Sequence, residues 1–368
     1  MISSTIPIQS MRLNVPEAET STEIIMGRGL LAQAPELLAR YQNARFLLVS
    51  DERIAERYAG AARDALTGSG HDAPLITIQA REESKTLDTL AYLYEACQLF
   101  EVLRNDVIVA IGGGLVGDVA GMLAATYMRG LELIQVPTSL VAMVSASIGG
   151  KVGLNFKDYK NLVGAFKQPA MTIIDLETLS TLPEVEYRSG LGELVTVGAL
   201  GSREIFETLE SGGETDLDSL IWAALRCKKE IVEADPFDRL GIRAKLNLGH
   251  TFGHALEKLS DFSLPHGLAV AVGLHIAARL AAELGLCLQS LPDRICRTLR
   301  SLDLPVALRG YHPADMLKAM RGDKKRAGGR LRWVLPVDVG QVTLFGEENM
   351  PPELLTETLR ALVWEGQC

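Results

Sequence analysis

Apolar positions along this chain change their period near the middle. In the first half, short runs of β-branched and aliphatic residues alternate with stretches of helical spacing. Residues 45–50 read as a buried strand, and a helix opens at Asp51-Glu52-Arg53 and runs to about residue 66. Residues 73–79 read as the next strand, 87–100 as a helix, and 106–111 as a strand ending in glycines. A helix over 115–128 and strands over 131–136 and 170–174 complete the series. Strands alternating with helices predict a mainly parallel sheet with helices on both faces.

From about residue 179 the spacing becomes helical almost throughout. Acidic residues in the first turn of Leu182-Pro183-Glu184-Val185-Glu186 mark a helix start. Helices are predicted over 190–200, 202–211, 217–234, 244–259, 268–286, 291–302, 313–318 and 352–363, with one hairpin pairing 330–336 with 340–345. The pattern therefore predicts an α/β, Rossmann-like domain over 1–178 and a mostly α-helical domain over 179–368. A length of 368 residues agrees with two cores.

Composition narrows the function classes. The chain is 47% hydrophobic and 23% charged, the balance of a globular protein. A net charge of -9 argues against general nucleic-acid binding, which needs a basic surface. The five cysteines are scattered and lack Cys-x-x-Cys spacing, so they read as reduced thiols of a cytoplasmic protein. No signal peptide is expected, since Met1-Ile2-Ser3-Ser4 has no basic region followed by an apolar run. The longest apolar stretch, 268–288, contains His275, Arg279 and Glu283 and reads as a buried helix, not a membrane span.

Candidate chemistry concentrates in Arg243-Ala-Lys-Leu-Asn247-Leu-Gly-His250-Thr-Phe-Gly-His254, followed by Pro265-His266-Gly267. Three of the six histidines fall here. Two imidazoles at i and i+4 on one helix face can hold a divalent metal, with Asn247 and Arg243 one and two turns upstream. A plain helix with satisfied histidines is the competing reading. Glu193, amid small and apolar residues, would be costly to bury unpaired, and a shared metal would satisfy it. Two His and one Glu with an open position make a catalytic zinc site.

A second group lies upstream. Gly112, Gly114 and Gly117 fit G-x-G-x-x-G between a strand and a helix, where backbone can approach a pyrophosphate. A plain tight turn is the alternative. Asp51, ending an earlier strand, is the candidate for a ribose hydroxyl, and Glu82 with Lys85 for the nucleotide's far end. Ser145–Lys151 is a glycine loop ending in lysine. Lys151, Lys160 and Asn161 around it suit a phosphate or carboxylate, and Arg129 adds a cation. Further cations stand at Lys228-Lys229 and in Asp323-Lys324-Lys325-Arg326, where a solvated loop is the alternative.

Taken together, residues 82–325 resemble the dehydroquinate synthase family of the sugar phosphate cyclases. The resemblance is carried by Gly-Gly-Gly-Leu-Val-Gly-Asp-Val-Ala-Gly, Tyr-Met-Arg-Gly, Val-Pro-Thr-Ser-Leu, Gly-Gly-Lys, Lys-Asn-Leu-Val-Gly-Ala-Phe, Asn-Leu-Gly-His-Thr-Phe-Gly-His and Pro-His-Gly. It implies a homodimer that binds NAD and zinc (or cobalt) and acts on a sugar phosphate. Glu193, His250 and His266 would hold the metal, and His254 would contact substrate. Lys151, Lys160, Asn161, Lys229, Arg243, Asn247 and a lysine of Lys324-Lys325 would line the substrate pocket, with Arg129 reaching across the dimer. Gly112, Gly113, Gly114, Gly117, Asp118, Thr138 and Ser139 would join Asp51, Glu82 and Lys85 around the cofactor. The implied reaction is redox-neutral: oxidation of a ring hydroxyl by NAD+, β-elimination of phosphate, return of the hydride and intramolecular aldol closure.

Three positions depart from the family pattern. Ser145 stands for an aspartate, Thr196 for a lysine and Leu268 for a glutamate. The first two remove opposite charges from substrate-facing positions. Arg243 points to an acidic substrate, since a guanidinium is the natural partner of a carboxylate. The expected substrate is the C7 keto-acid sugar phosphate of the shikimate route or its amino analogue. The alternatives are a cyclase of a neutral sugar phosphate (sedoheptulose 7-phosphate or glucose 6-phosphate), a metal-dependent alcohol dehydrogenase, and a catalytically impaired relative.

Overall fold

The computed structural model describes residues 8–18, 20–157, 159–212, 216–324 and 331–367, with 322–324 by backbone alone. They form two compact units, Met1–Leu182 and Pro183–Cys368.

In chain order the first unit contains β1 (Gln9–Val15), β2 (Thr20–Gly27), α1 (Ala34–Leu37), β3 (Phe46–Asp51), α2 (Gly60–Gly68), β4 (Leu75–Ile78), α3 (Leu87–Leu99), β5 (Val107–Gly112), α4 (Gly114–Thr126), β6 (Glu132–Pro137), β7 (Lys151–Phe156), β8 (Tyr159–Phe166) and β9 (Met171–Asp175). Seven strands make one sheet in the order β1-β2-β9-β6-β5-β3-β4, parallel except for β1. Every residue of β3 and β5 is buried, which is why both read as unbroken apolar runs. Successive side chains serve opposite faces: Leu47 and Val49 enter one core with α3 and α4, Phe46 and Leu48 the other with α1 and α2.

The chain leaves β3 for the edge strand β4 and then returns to β5 on the other side of β3. Their carboxyl ends, Asp51 and Gly112, thus flank a topological switch point, the usual ligand position in such sheets. Two features differ from the pattern reading. β1 and β2, unassigned by periodicity, extend the sheet past β9. The segment expected as a flexible glycine loop becomes in part an antiparallel hairpin, with Lys151 opposite Phe166 and Val152 opposite Ala165. Val152 and Leu154 bury one side of it against the core that contains α4.

The second unit is helical: α5 (Glu184–Gly201), α6 (Arg203–Ser211), α7 (Leu217–Ala234), α8 (His250–Leu259), α9 (His266–Glu283), α10 (Leu291–Ser301), α11 (Pro313–Lys324) and α12 (Pro352–Leu359). The hairpin β10 (Arg332–Asp338) with β11 (Gln341–Gly346) is its only sheet among the described residues. α9 is buried on almost all sides, as its Ala- and Gly-rich sequence requires. Among the described residues no helix is long and apolar enough to cross a membrane.

One helix reading is corrected. The helix expected over 244–259 is not continuous: Arg243–Asn247 form a separate 3-10 turn, and α8 starts at His250 after Gly249 at φ 75°. Left-handed backbone suits glycine, and it breaks the helical path there. Arg243 and Asn247 therefore do not ride one and two turns below the histidines on a shared helix.

Candidate active site

Glu193, His250 and His266 belong to three helices of the second unit, and glycine brings those helices together. A Cβ on Gly192 would lie 2.2 Å from the Gly267 carbonyl oxygen, and one on Gly267 would lie 1.8 Å from that of Ser189. Without those side chains, α5 and α9 touch backbone to backbone, and the Gly267 N–H donates to Ser189 Oγ at 2.9 Å. Glu193 and His266, each next to one of these glycines, become neighbours. On the third helix, Gly249 turns the chain so that His250 opens α8.

The result is a compact donor set. Glu193 is 2% exposed. Its Oε1 lies 3.1 Å from His266 Nε2 and 3.5 Å from His250 Nε2. Neither contact has the direction of a hydrogen bond, so Oε1 is a buried oxygen without a hydrogen-bond donor among the described residues. Such an atom is costly in a native protein unless something else satisfies it. The ligand atoms of Glu193, His250 and His266 all lie within 4.8 Å of one another, and two imidazoles with one carboxylate form a zinc-type donor set. The residues present thus fit a divalent ion.

Electrostatics agree. Burial acts to raise the Glu193 carboxyl, but His250 and His266 overcome it and hold the group well below its ordinary range. Burial acts to lower His266, while Glu193 and Glu257 push it up to about 10. Proton and metal ion compete for the same Nε2 lone pair. The ring of His254 borders the set, its centroid 5.5 Å from that of His250 and 5.7 Å from that of His266.

Arg243 is held by a different device. Its N–H is one of four backbone donors to the buried Asp235 carboxylate: Arg239 at 2.8 Å, Leu240 at 3.1 Å, Ile242 at 3.0 Å and Arg243 at 3.3 Å. The residue is 4% exposed, and its guanidinium Nη1 donates to the Pro236 carbonyl at 2.9 Å. Burial pulls this group down, and Asp238 and Asp235 counter it. Asn247, at the end of the same 3-10 turn, is exposed.

Lys229 pairs with Glu233 at 2.7 Å along α7, whereas its neighbour Lys228 is only 9% exposed. Arg188, on α5 before Glu193, has its Nε buried without an acceptor among the described residues. Its place in a helical pattern carried no sign of that. The side chain of Lys324 and all of Lys325 lie outside the described residues.

In the first unit, the glycine-rich turn joins β5 to α4. A Cβ on Gly117 would meet Gln135 Oε1 of β6 at 2.6 Å, so this glycine lets α4 pack close to the sheet. Thr138 N–H donates to the Gly112 carbonyl at 2.9 Å, and Ser139 Oγ, near Gly113, accepts from the Ala142 N–H at 3.3 Å. Beside α4 runs a polar network. Lys85 Nζ donates to Asp118 Oδ2 at 2.5 Å and to Asn161 Oδ1. Asn161 N–H donates to Asn155 Oδ1 at 3.0 Å, and Asn155 Nδ2 donates to Glu82 Oε1 at 2.8 Å. Lys160 Nζ is 3.5 Å from the same Glu82 oxygen. Burial pushes the Asp118 carboxyl up, and Lys85 opposes it. Five of the expected residues, Glu82, Lys85, Asp118, Lys160 and Asn161, are therefore one connected group. Asp51 accepts Arg53 Nε at 2.8 Å and Nη2 at 2.6 Å. Lys151 is exposed at the start of β7, and Arg129 sits in a left-handed turn at φ 68°.

A Rossmann-like α/β unit joined to a helical unit with a Glu-His-His donor set defines the class of this chain. The chain belongs to the 3-dehydroquinate synthase family: residues 75–189 match the family's N-terminal domain and 190–326 its C-terminal domain. A 3-dehydroquinate synthase of Symbiobacterium thermophilum is 41% identical over 350 residues, which cover 92% of this chain and 97% of that protein. The solved 2-epi-5-epi-valiolone synthase of Streptomyces hygroscopicus subsp. jinggangensis, with NAD+ and Zn2+ bound, is 27% identical with a TM-score of 0.85, covering 93% of this chain and 96% of that one. A 2-deoxy-scyllo-inosose synthase complexed with carbaglucose-6-phosphate, NAD+ and Co2+ shares the fold at 24% identity and a TM-score of 0.86, over 97% of this chain and all of that one.

Proposed function

We propose that this chain is a carbon–oxygen lyase of the 3-dehydroquinate synthase type, acting on a C7 keto-acid sugar phosphate with NAD+ and a divalent metal. In this reading residues 1–178 serve the cofactor and 179–368 the metal and substrate. When bound, the ion polarises a substrate oxygen and NAD+ accepts and returns a hydride, so that the reaction has no net redox change. Glu193, His250 and His266 supply the ligands. The glycine turn at Gly112–Gly117 and the start of α4 receive the pyrophosphate, with the Lys85–Asp118–Asn161 network fixing polar groups beside them.

The observation that carries the choice of substrate is Arg243. Arg243 is buried, with its backbone N–H held by Asp235 and its guanidinium by the Pro236 carbonyl, in the unit that holds the metal-ligand set. A buried, positioned guanidinium favours a carboxylate over a hydroxyl, because the planar fork matches both oxygens. Lys228, Arg188 and His254 are further candidates for the substrate's anionic groups, and Asn247 for a hydroxyl. Thr196 favours the second reading, a neutral sugar phosphate. It is buried at 1% exposure with Oγ1 donating to the Gly192 carbonyl at 2.9 Å, so it brings no charge to its helix.

Incubating the protein with NAD+, zinc and either the keto-acid phosphate or a heptulose 7-phosphate, and following inorganic phosphate, separates the two. Release from the keto acid is expected; release from the heptulose phosphate alone would overturn the reading. We further read the chain as a cytoplasmic homodimer. Its reduced cysteines support the compartment. The β7–β8 hairpin supports the dimer, because it leaves Phe156, Tyr159, Leu162 and Phe166 exposed together.

A further inference from the structure

Both candidate histidine ligands have their second ring nitrogen occupied. His250 Nδ1 lies 2.9 Å from the Leu248 carbonyl oxygen, an acceptor only, so Nδ1 carries the proton and Nε2 faces Glu193. The turn at Gly249 makes that contact. His266 Nδ1 lies 3.1 Å from Glu257 Oε2. Glu257 sits on α8, and His266 is the first residue of α9. A carboxylate only 4% exposed is an expensive group to keep there. Nothing in the sequence pattern asks for one, since Glu257 stands among residues that α8 buries.

We propose that Glu257 is a positioning residue for the metal centre: by accepting from Nδ1 of His266 it fixes the tautomer and ring orientation that direct Nε2 at the ion. The inference rests on the metal assignment made above for Glu193, His250 and His266. The physical reason is general. An imidazole that ligates through one nitrogen needs a partner at the other, and a carboxylate there both orients the ring and raises its basicity. Glu257 also lies between two roles, because His254, Glu257 and His266 offer ligand atoms within 4.8 Å of one another. As a positioner it acts through His266 alone; as a ligand it would bind a second ion.

The test uses the full-length protein stripped of metal and titrated with Co2+. It reads the visible absorption band, the stoichiometry and the dissociation constant by chelator competition. Glu257→Gln keeps an acceptor for Nδ1 and loses the charge, whereas Glu257→Leu keeps the volume and loses both. The expected order of affinity is wild type, then Gln, then Leu, with Leu weaker by about 10–100-fold and its band altered. A role in packing alone would leave the Leu variant with wild-type affinity and spectrum, and that result overturns the proposal. Two ions in the wild type, with the Gln variant losing only one of them, overturns it as well. Glu193→Gln serves as the separate control. If the wild type binds no Co2+, or binds it equally well with Glu193→Gln, the metal assignment itself fails. Should Glu257→Leu not fold, Glu257→Ala, which also removes the acceptor, takes its place, and wild-type Co2+ affinity and spectrum in that variant refute the idea.

Discussion

Asp235→Asn changes one atom in a carboxylate that organises the turn before α8. The aspartate accepts four backbone N–H bonds: Oδ1 takes those of Arg239 and Leu240, Oδ2 those of Ile242 and Arg243. An asparagine can keep the first pair on its carbonyl oxygen. Its NH2 then faces the second pair donor to donor, so two hydrogen bonds to a charged group are lost. At about 1.5–3 kcal/mol each, the loss is about 3–6 kcal/mol, a large part of the roughly 5–15 kcal/mol that holds a domain. The pH dependence has a definite sign. Burial acts to raise Asp235, but the backbone donors prevail and set it below its ordinary value. A carboxylate depressed in the folded state stabilises fully above its unfolded pKa, about 3.9, and that contribution fades as pH falls through the folded value. The wild type and the variant should therefore differ most near neutrality and converge as pH falls through the folded value. Urea unfolding at several pH values reads both. Because the Arg243 guanidinium is carried by this turn, KM for a carboxylate substrate should rise as well. A loss below about 1 kcal/mol at neutral pH, or one equally large in acid, would refute the argument.

Three further outcomes follow from other parts of the molecule. Gly267→Ala places a Cβ 1.8 Å from the Ser189 carbonyl oxygen. It must part α5 from α9, so thermal unfolding should show a loss of about 3 kcal/mol or more, and Co2+ affinity should fall with it. Thr196→Lys buries an ammonium where the native residue is 1% exposed; a loss of several kcal/mol in urea unfolding is expected, on the order of other buried unpaired charges. Leu162→Asp puts a charge on the exposed apolar side of the β7–β8 hairpin, where Leu162 is 46% exposed. Light scattering should report a monomer with unchanged thermal stability of its own fold, and an unchanged dimer would place the contact elsewhere.

Much of this was legible from spacing and motif because it is local. The parallel strands announce themselves as fully buried runs, and the glycine turn stands between a strand and a helix, as its pattern requires. Glu193, His250 and His266 are separated by up to 73 positions, 266 minus 193, yet their neighbours Gly192, Gly249 and Gly267 are what let three helices converge. What stayed hidden depends on three-dimensional partners. The helix expected over 244–259 is broken because Gly249 is left-handed, and helical periodicity is blind to one backbone angle. Lys228 and Lys229 are equivalent as letters; only the fold buries one and pairs the other. Glu257 reads as an ordinary residue of an amphipathic helix until His266 Nδ1 is found 3.1 Å away. β1 and β2 escaped because neither is an unbroken buried run like β3 and β5: β1 alternates with largely exposed positions, and β2 passes from exposed to buried along its length.

The central claim is that the Glu193–His250–His266 centre supports a cyclisation with no net redox change. It is tested most directly by a single time course on the keto-acid phosphate with NAD+ and zinc, following phosphate and NADH together, before and after metal removal. The account predicts one phosphate per substrate consumed, no NADH at completion, loss of turnover on chelation and recovery with Zn2+ or Co2+. NADH accumulating in step with substrate consumed, or phosphate release that survives both chelation and Glu193→Gln, would contradict it.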